Sequence, residues 1–374
     1  FLWSSSFKTN LPSIIQLAIL LLVFIVVFQS LKIIINNTNF NFEDLAINQN
    51  TSVKYSNDVN NRKIHCGSPL EQKCLKDYDN HINFELVLLL GNSQLHAINE
   101  IKYSDEVVAG LLHKKLYDRN QYLITYSAPN ISIQEKYLFL ENLLSITNID
   151  SLIIPLVYDD TRENNIRQNY FALISNKVES NLMLNGVGLN ILDQKSDFNN
   201  LNKDQTSDTS YNTLSESYLE NILIENSVIW ENRHHLRSSI FNIMYKLRNL
   251  VFNINSSSVR KKIPLAYKNN LDALEEILKS AKNNDINLIL YLAPIRQDIN
   301  KPYDPDDYKA FINEISGISK IYNVDFYNLE SLVPDEYWGS GSKINFSSEM
   351  QYDFMHFKYE GHKLLSNKIY NLLK

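Results

Sequence analysis

The sequence predicts an α/β domain in which a five-stranded parallel sheet is covered by helices on both faces. Two observations carry that prediction. Short runs that are apolar throughout recur along the chain, the pattern of strands buried on both sides rather than on one. Between them lie amphipathic stretches with apolar residues at helical spacing, as parallel strands joined by crossover helices require.

The first run, Phe84 to Leu90, passes straight into Gly91-Asn92-Ser93, and a helix is expected from about Gln94. Gly91 would let the backbone turn sharply at the carboxyl end of the strand. Gln121 to Tyr126 is the second strand, followed by an amphipathic helix over Ile133 to Leu144 with Tyr137, Leu140 and Leu144 on one face. Ser151 to Val157 is the third strand. Asn287 to Ala293 is the fourth, after a helix over Asn270 to Lys282. A helix over Asp306 to Tyr322, a fifth strand over Val324 to Tyr327 and a closing helix over Gly361 to Leu373 complete the domain. The polar run Asn190 to Ser217 reads as a mobile loop. Tyr218 to Phe252 reads as a long helical segment, within an insertion over residues 164–262 that is suited to a lid, a substrate wall or a docking surface.

Open α/β sheets bind ligands at the carboxyl edge of their strands. Ser93 stands at that edge, where a helix N-terminus would favour developing negative charge. A serine nucleophile needs a base, and the base an orienting carboxylate. Far along the chain, Asp353-Phe-Met-His356 places an acid and an imidazole three residues apart, on one face if the segment is helical. The block GNSQ after a first strand, with DxxH before a final helix, resembles the SGNH (GDSL-like) esterase and acyltransferase superfamily. The resemblance covers Phe84 to Lys374. It implies a three-layer, flavodoxin-like domain and a triad of Ser93, Asp353 and His356. His362 is the rival base, less well spaced from Asp353. The resemblance also implies an oxyanion-hole glycine after the second strand and an asparagine after the third, usually within GxND. This chain departs from that pattern, with Tyr126-Ser-Ala-Pro-Asn130 and Val157-Tyr-Asp-Asp-Thr-Arg162 at those places. The donors left are the Ser93 backbone N–H and the Asn130 amide, because an ionised carboxylate cannot donate. Asp159, Asp160, Arg162 and Arg296 are candidate substrate contacts, with ion pairing among neighbours the alternative. Tyr337 and Trp338 suit either sugar stacking or the core.

Residues 1–32 form a candidate membrane anchor. From Ile14 to Phe28 only Gln16 is polar, and with its flanks the stretch reaches the ~20 residues that span a bilayer core of ~30 Å. No small-residue cleavage site follows Phe28. Residues 33–81 read as a polar juxtamembrane tether carrying the only two cysteines, Cys66 and Cys74, whose spacing allows a disulfide in an oxidising compartment. Residues 82–374 form the catalytic domain.

A net charge of −6 without a basic stripe argues against nucleic-acid binding. No metal or cofactor is expected: His65 is the only histidine beside the cysteines, and the adjacent His234 and His235 would diverge by about 100° on a helix. The expectation is an extracytoplasmic, membrane-anchored enzyme that transfers or hydrolyses O-acyl groups on an envelope glycan or related polymer; the resemblance to anchored members of the superfamily implies a membrane-bound acyltransferase as a possible partner. The alternative is a non-catalytic SGNH-like assembly subunit.

Overall fold

Strand β3, Glu85–Gly91, sits third in the main sheet, and all of its residues after Glu85 are buried. Complete removal of Leu86 to Leu90 from water is worth about 1.5–3 kcal/mol per large side chain, so this segment is committed to the interior whatever surrounds it. The computed structural model describes residues 50–78, 83–206, 258–340 and 352–373. The anchor expected over Leu11 to Leu31, and the helical segment over Tyr218 to Phe252 with His234 and His235, lie outside those residues. Among the described residues no helix is long and apolar enough to cross a membrane.

The strands are β1 (Thr51–Val53), β2 (His65–Cys66), β3, β4 (Ala97–Asn99), β5 (Gln121–Ser127), β6 (Ser151–Leu156), β7 (Asn287–Leu292), β8 (Asp325–Asn328), β9 (Trp338–Ser340) and β10 (Tyr352–Phe357). The α-helices are α1 (Lys73–Tyr78), α2 (Val108–Tyr117), α3 (Ile133–Leu144), α4 (Asn176–Leu182), α5 (Gly186–Thr206), α6 (Pro264–Asn283), α7 (Pro305–Tyr322) and α8 (Tyr359–Leu372). The main sheet runs β2-β5-β3-β6-β7-β8 and is parallel throughout. One face, carrying Val87, Leu89, Leu123, Ile153 and Tyr291, packs against Leu112 and Leu116 of α2 and Leu365 and Ile369 of α8. The other, carrying Leu86, Leu88, Ile124, Ile154 and Leu290, packs against α3, α6 and α7. Two small antiparallel pairs, β1 with β4 and β9 with β10, stand apart from this sheet.

The sheet has six strands, not five. The extra one, β2, comes from the segment read as a tether and pairs His65 and Cys66 with Thr125 and Tyr126 of β5. Two residues carry no periodicity, so the strand is invisible to pattern reading. A disulfide between Cys66 and Cys74, both fully buried, ties β2 to α1.

The polar run is corrected as well. Residues 190–206 belong to helix α5 rather than to a loop, and the rest of the run, 207–217, lies outside the described residues. Its apolar stripe is narrow: Ile191 is fully buried, and Val187 and Phe198 are packed against the core. A mostly solvated helix needs no more than that, and its Asn, Asp and Ser content imitates a loop. Local signals fix other boundaries. Ser132 and Glu135 form a capping box at the start of α3. Asp304 caps α7, accepting from the Asp306 and Asp307 N–H groups, and Asn323 ends that helix in the left-handed region.

The disulfide joins residues eight apart in sequence, for which the chain-entropy relation gives about 2.5 kcal/mol. Replacing both cysteines by alanine should lower the unfolding free energy by about that amount in urea titrations. Amide exchange at Thr125, whose N–H donates to Ile64, should rise as the edge strand loosens.

Candidate active site

Ser93 leaves the carboxyl end of β3 on a single 3-10 turn, Ser93–Leu95, and the chain then forms β4. The helix expected from Gln94 is absent, and the next one begins only at Val108. No helix macrodipole therefore acts on Ser93. The turn is shaped by side chains instead: Asn92 Oδ1 accepts from the Gln94 N–H at 3.1 Å. Gly91 is required for space rather than for its dihedral freedom, since no glycine among the described residues has a positive φ. A Cβ at Gly91 would lie 2.3 Å from Leu95 Cδ1 and 2.7 Å from Pro155 Cγ.

The base and acid arrive on β10, a strand rather than a helical turn. Residues three apart on a regular strand face opposite ways. Here the register breaks: Tyr352 pairs with Ser340 and Phe357 with Trp338, so six residues of β10 span three of β9. The slack wraps around the Asp353 carboxylate, whose Oδ1 accepts from the N–H groups of Met355 and His356, both at 2.9 Å. Its Oδ2 lies 2.9 Å from His356 Nδ1. His356 Nε2 lies 3.0 Å from Ser93 Oγ. Ser93 is partly exposed, while Asp353 and His356 are buried. Burial acts to raise the Asp353 carboxyl, but the neighbouring His356 and three hydrogen bonds outweigh it and hold the group below the usual carboxylate range. With Asp353 ionised, Nδ1 carries the hydrogen and Nε2 faces the serine as acceptor.

His362 is placed elsewhere. It is fully buried, its Nδ1 accepts the Val108 N–H at 3.2 Å, and burial depresses it to about 3. Of the oxyanion candidates, the Ser93 N–H donates to no group among the described residues. Asn130 is exposed, in the left-handed region at φ 48°. Asp160 turns inward: it pairs with Lys136 at 2.6 Å, both buried, and accepts from Asn92 Nδ2 at 3.4 Å. Asp159 pairs with Arg162 at 3.6 Å and with Arg260, and accepts from the Tyr303 hydroxyl at 3.1 Å. Arg296 forms a two-pronged pair with Asp298 and donates to the Gly339 carbonyl at 2.9 Å. Trp338 is a core residue, donating to the Val333 carbonyl and packing edge-on against Phe357.

Several neighbours carried no sequence signal. Arg260 lies over the Phe354 ring, one residue from Asp353. The Ser127 hydroxyl lies 2.6 Å from His65 Nε2 and 2.7 Å from His96 Nδ1, all three buried. One hydroxyl hydrogen can serve only one ring, so the other ring must donate to Ser127. Burial holds both imidazoles neutral: His96 is depressed to about 3, helped by His356, and His65 lies well below its ordinary value. Isolated histidines give no periodicity from which such a cluster can be read.

Two outcomes follow. Gly91→Ala should cost about 1–3 kcal/mol through overpacking, read as a lower melting temperature. With His65, His96 and His362 held neutral by burial, the fold should be acid-labile. Below about pH 6.5 the unfolded chain binds protons that the folded state refuses, so stability falls with pH, from 6.5 towards 3 for His96 and His362. Each histidine contributes up to about 1.4 kcal/mol per pH unit in that window. Urea midpoints measured from pH 7 to pH 4.5 should drop steeply, and His362→Gln should flatten the slope.

No family model matches the sequence, and no curated protein matches it. Solved structures do, in 31 chains. One is the acetyl xylan esterase AlAXEase, at 10% identity and a TM-score of 0.38 over 77% of this chain and 100% of that one. Another is the psychrotrophic esterase EstA from Pseudoalteromonas sp., at 11% identity and 0.37 over 77% and 95%. A third is a family two carbohydrate esterase from Clostridium thermocellum, at 8% identity and 0.37 over 78% of this chain and 63% of that one. These likenesses are remote, and any chemistry assigned to this chain has to come from its own residues.

Proposed function

We propose that this protein is a serine esterase or O-acyltransferase of the SGNH type, with Ser93 as nucleophile, His356 as general base and acid, and Asp353 as the carboxylate that orients it. The observation that carries the reading is the unbroken line from Ser93 Oγ to His356 Nε2 at 3.0 Å and from His356 Nδ1 to Asp353 Oδ2 at 2.9 Å. Ser93 Oγ attacks an acyl carbonyl as its proton passes to Nε2. Asp353 stabilises the imidazolium, and the Ser93 N–H donates to the oxyanion. Collapse of the tetrahedral adduct breaks the ester C–O bond, and His356 returns the proton to the departing alcohol. Water then resolves the acyl-serine in an esterase, and an acceptor hydroxyl resolves it in a transferase, with His356 again taking the proton.

The finer reading is an extracytoplasmic enzyme that acts on an acylated envelope glycan or related polymer. It is held at the membrane by residues 1–32 and works beside a membrane-bound acyltransferase. The apolar stretch Ile14 to Phe28 supports the anchor. The Cys66–Cys74 disulfide supports an oxidising compartment. The second reading, a non-catalytic assembly subunit, is favoured by the lack of the superfamily's oxyanion-hole glycine after the second predicted strand and asparagine after the third.

A fluorophosphonate probe separates the two. Stoichiometric labelling of the wild-type chain, lost in both Ser93→Ala and His356→Ala, is the expected result. Asp353→Asn should slow labelling by about 10⁴-fold by favouring the wrong imidazole tautomer. A folded wild-type protein that does not label would remove the enzyme reading.

A further inference from the structure

The Ser93–His356 contact joins residues 263 apart, and the secondary structure does not fix it. Ser93 rides on the main sheet, whereas His356 rides on β10, which among the described residues pairs only with β9. A short set of bonds joins the two bodies at this point. The Gln94 side-chain amide is buried, and both of its hydrogens are used: Nε2 donates to the Pro294 carbonyl at 2.8 Å and to the Met355 carbonyl at 2.9 Å. Pro294 follows β7, and Met355 immediately precedes His356. The Arg296 N–H adds a backbone link to the Phe354 carbonyl at 3.2 Å. The base of the Gln94 side chain is itself held, because its N–H is bound by Asn92, which donates to the buried Asp160–Lys136 pair.

Resting on the serine-esterase reading, we infer that Gln94 is a positioning residue: its amide clamps the nucleophile turn to the histidine loop and sets the Ser93–His356 distance. No other side chain type of this length suits the place. Two carbonyl oxygens converge on one atom, so that atom must carry two hydrogens. A glutamate there would present an acceptor to two acceptors when ionised. When protonated it would restore one donor. Displacing a reacting pair by about 1 Å costs about a hundredfold in rate, which sets the effect to look for. The charged and titratable groups around Gln94 are Asp353 and His356 on β10, Arg296 beyond Pro294, His96 two residues on, and Asp160 behind Asn92.

The test compares the full chain as wild type, Ser93→Ala, Gln94→Glu and Gln94→Met, measuring fluorophosphonate labelling rates from pH 5.5 to 9 and kcat and KM on p-nitrophenyl acetate. Gln94→Glu should label about a hundredfold more slowly at pH 8 and recover towards pH 6 as its carboxyl takes up a proton. The loss should fall on kcat, with KM little changed. Gln94→Met, similar in length and without donors, should be slow at every pH. Rates within about threefold of wild type with a wild-type pH profile would overturn the inference. So would unfolding of both variants, which would make Gln94 purely structural. Failure of the wild type itself to label, like Ser93→Ala, would remove the esterase reading and this inference with it, and that outcome differs from labelled wild type with unaffected Gln94 variants.

Discussion

The close fit at the end of β3 is the constraint on which the rest of the site depends. Gly91 lies where any Cβ would collide with Leu95 and Pro155, so the central strand can approach β6 and its own 3-10 turn only without a side chain there. Because Leu86 to Leu90 are buried on both faces of the sheet, the strand cannot slide or rotate to relieve a clash. The position at which β3 ends is thereby set by packing, and the hydrogen bonds of Asn92 and Gln94 hold the turn that carries Ser93. In a close-packed interior small changes in volume are transmitted rather than absorbed, so the serine inherits the rigidity of the core.

The second half of the site is built on a different principle. β10 belongs to a two-stranded ribbon, and its irregular register bends around one carboxylate. Asp353 accepts two backbone N–H groups and the imidazole together. The same group that orients His356 also shapes the loop that carries it. This economy concentrates the site's electrostatics on Asp353, whose burial is offset by these three bonds. Behind the triad stands a layer of neutral histidines, with His65 and His96 sharing the Ser127 hydroxyl. Such a buried polar layer adds orientation without adding charge beside the base.

The legibility of the sequence divides along physical lines. Long apolar strands were plain because burial on both faces leaves continuous runs: Gln121–Ser127, Ser151–Leu156 and Asn287–Leu292 lie within a residue of where periodicity puts them. Helix α3 coincides with its expected span, its start marked by Ser132 and Glu135. Short or irregular elements were hidden. β2 has two residues, and the turn after Ser93 has three, too few to hold a period. The spacing of Asp353 and His356 suggested a helical turn, yet the same three-residue separation is achieved by a bulged strand. Arg296 and Asp160 looked available to a substrate, and the fold directs their side chains to Asp298, Gly339 and Lys136.

By itself the sequence determined the α/β class, the central strand ending in Gly91-Asn92-Ser93, and the presence of a nearby acid and imidazole in one distant segment. These depend on hydrophobic periodicity and on local spacing, which are properties of neighbouring residues. Only the tertiary structure decided that Ser93 meets His356, that Gln94 bridges Pro294 and Met355, that β2 completes a six-stranded sheet, and that Arg260 joins Arg162 in pairing with Asp159. Each of these joins side chains or strands far apart in the chain, and no local propensity encodes such a distance. It is fixed only when both faces of the sheet are packed.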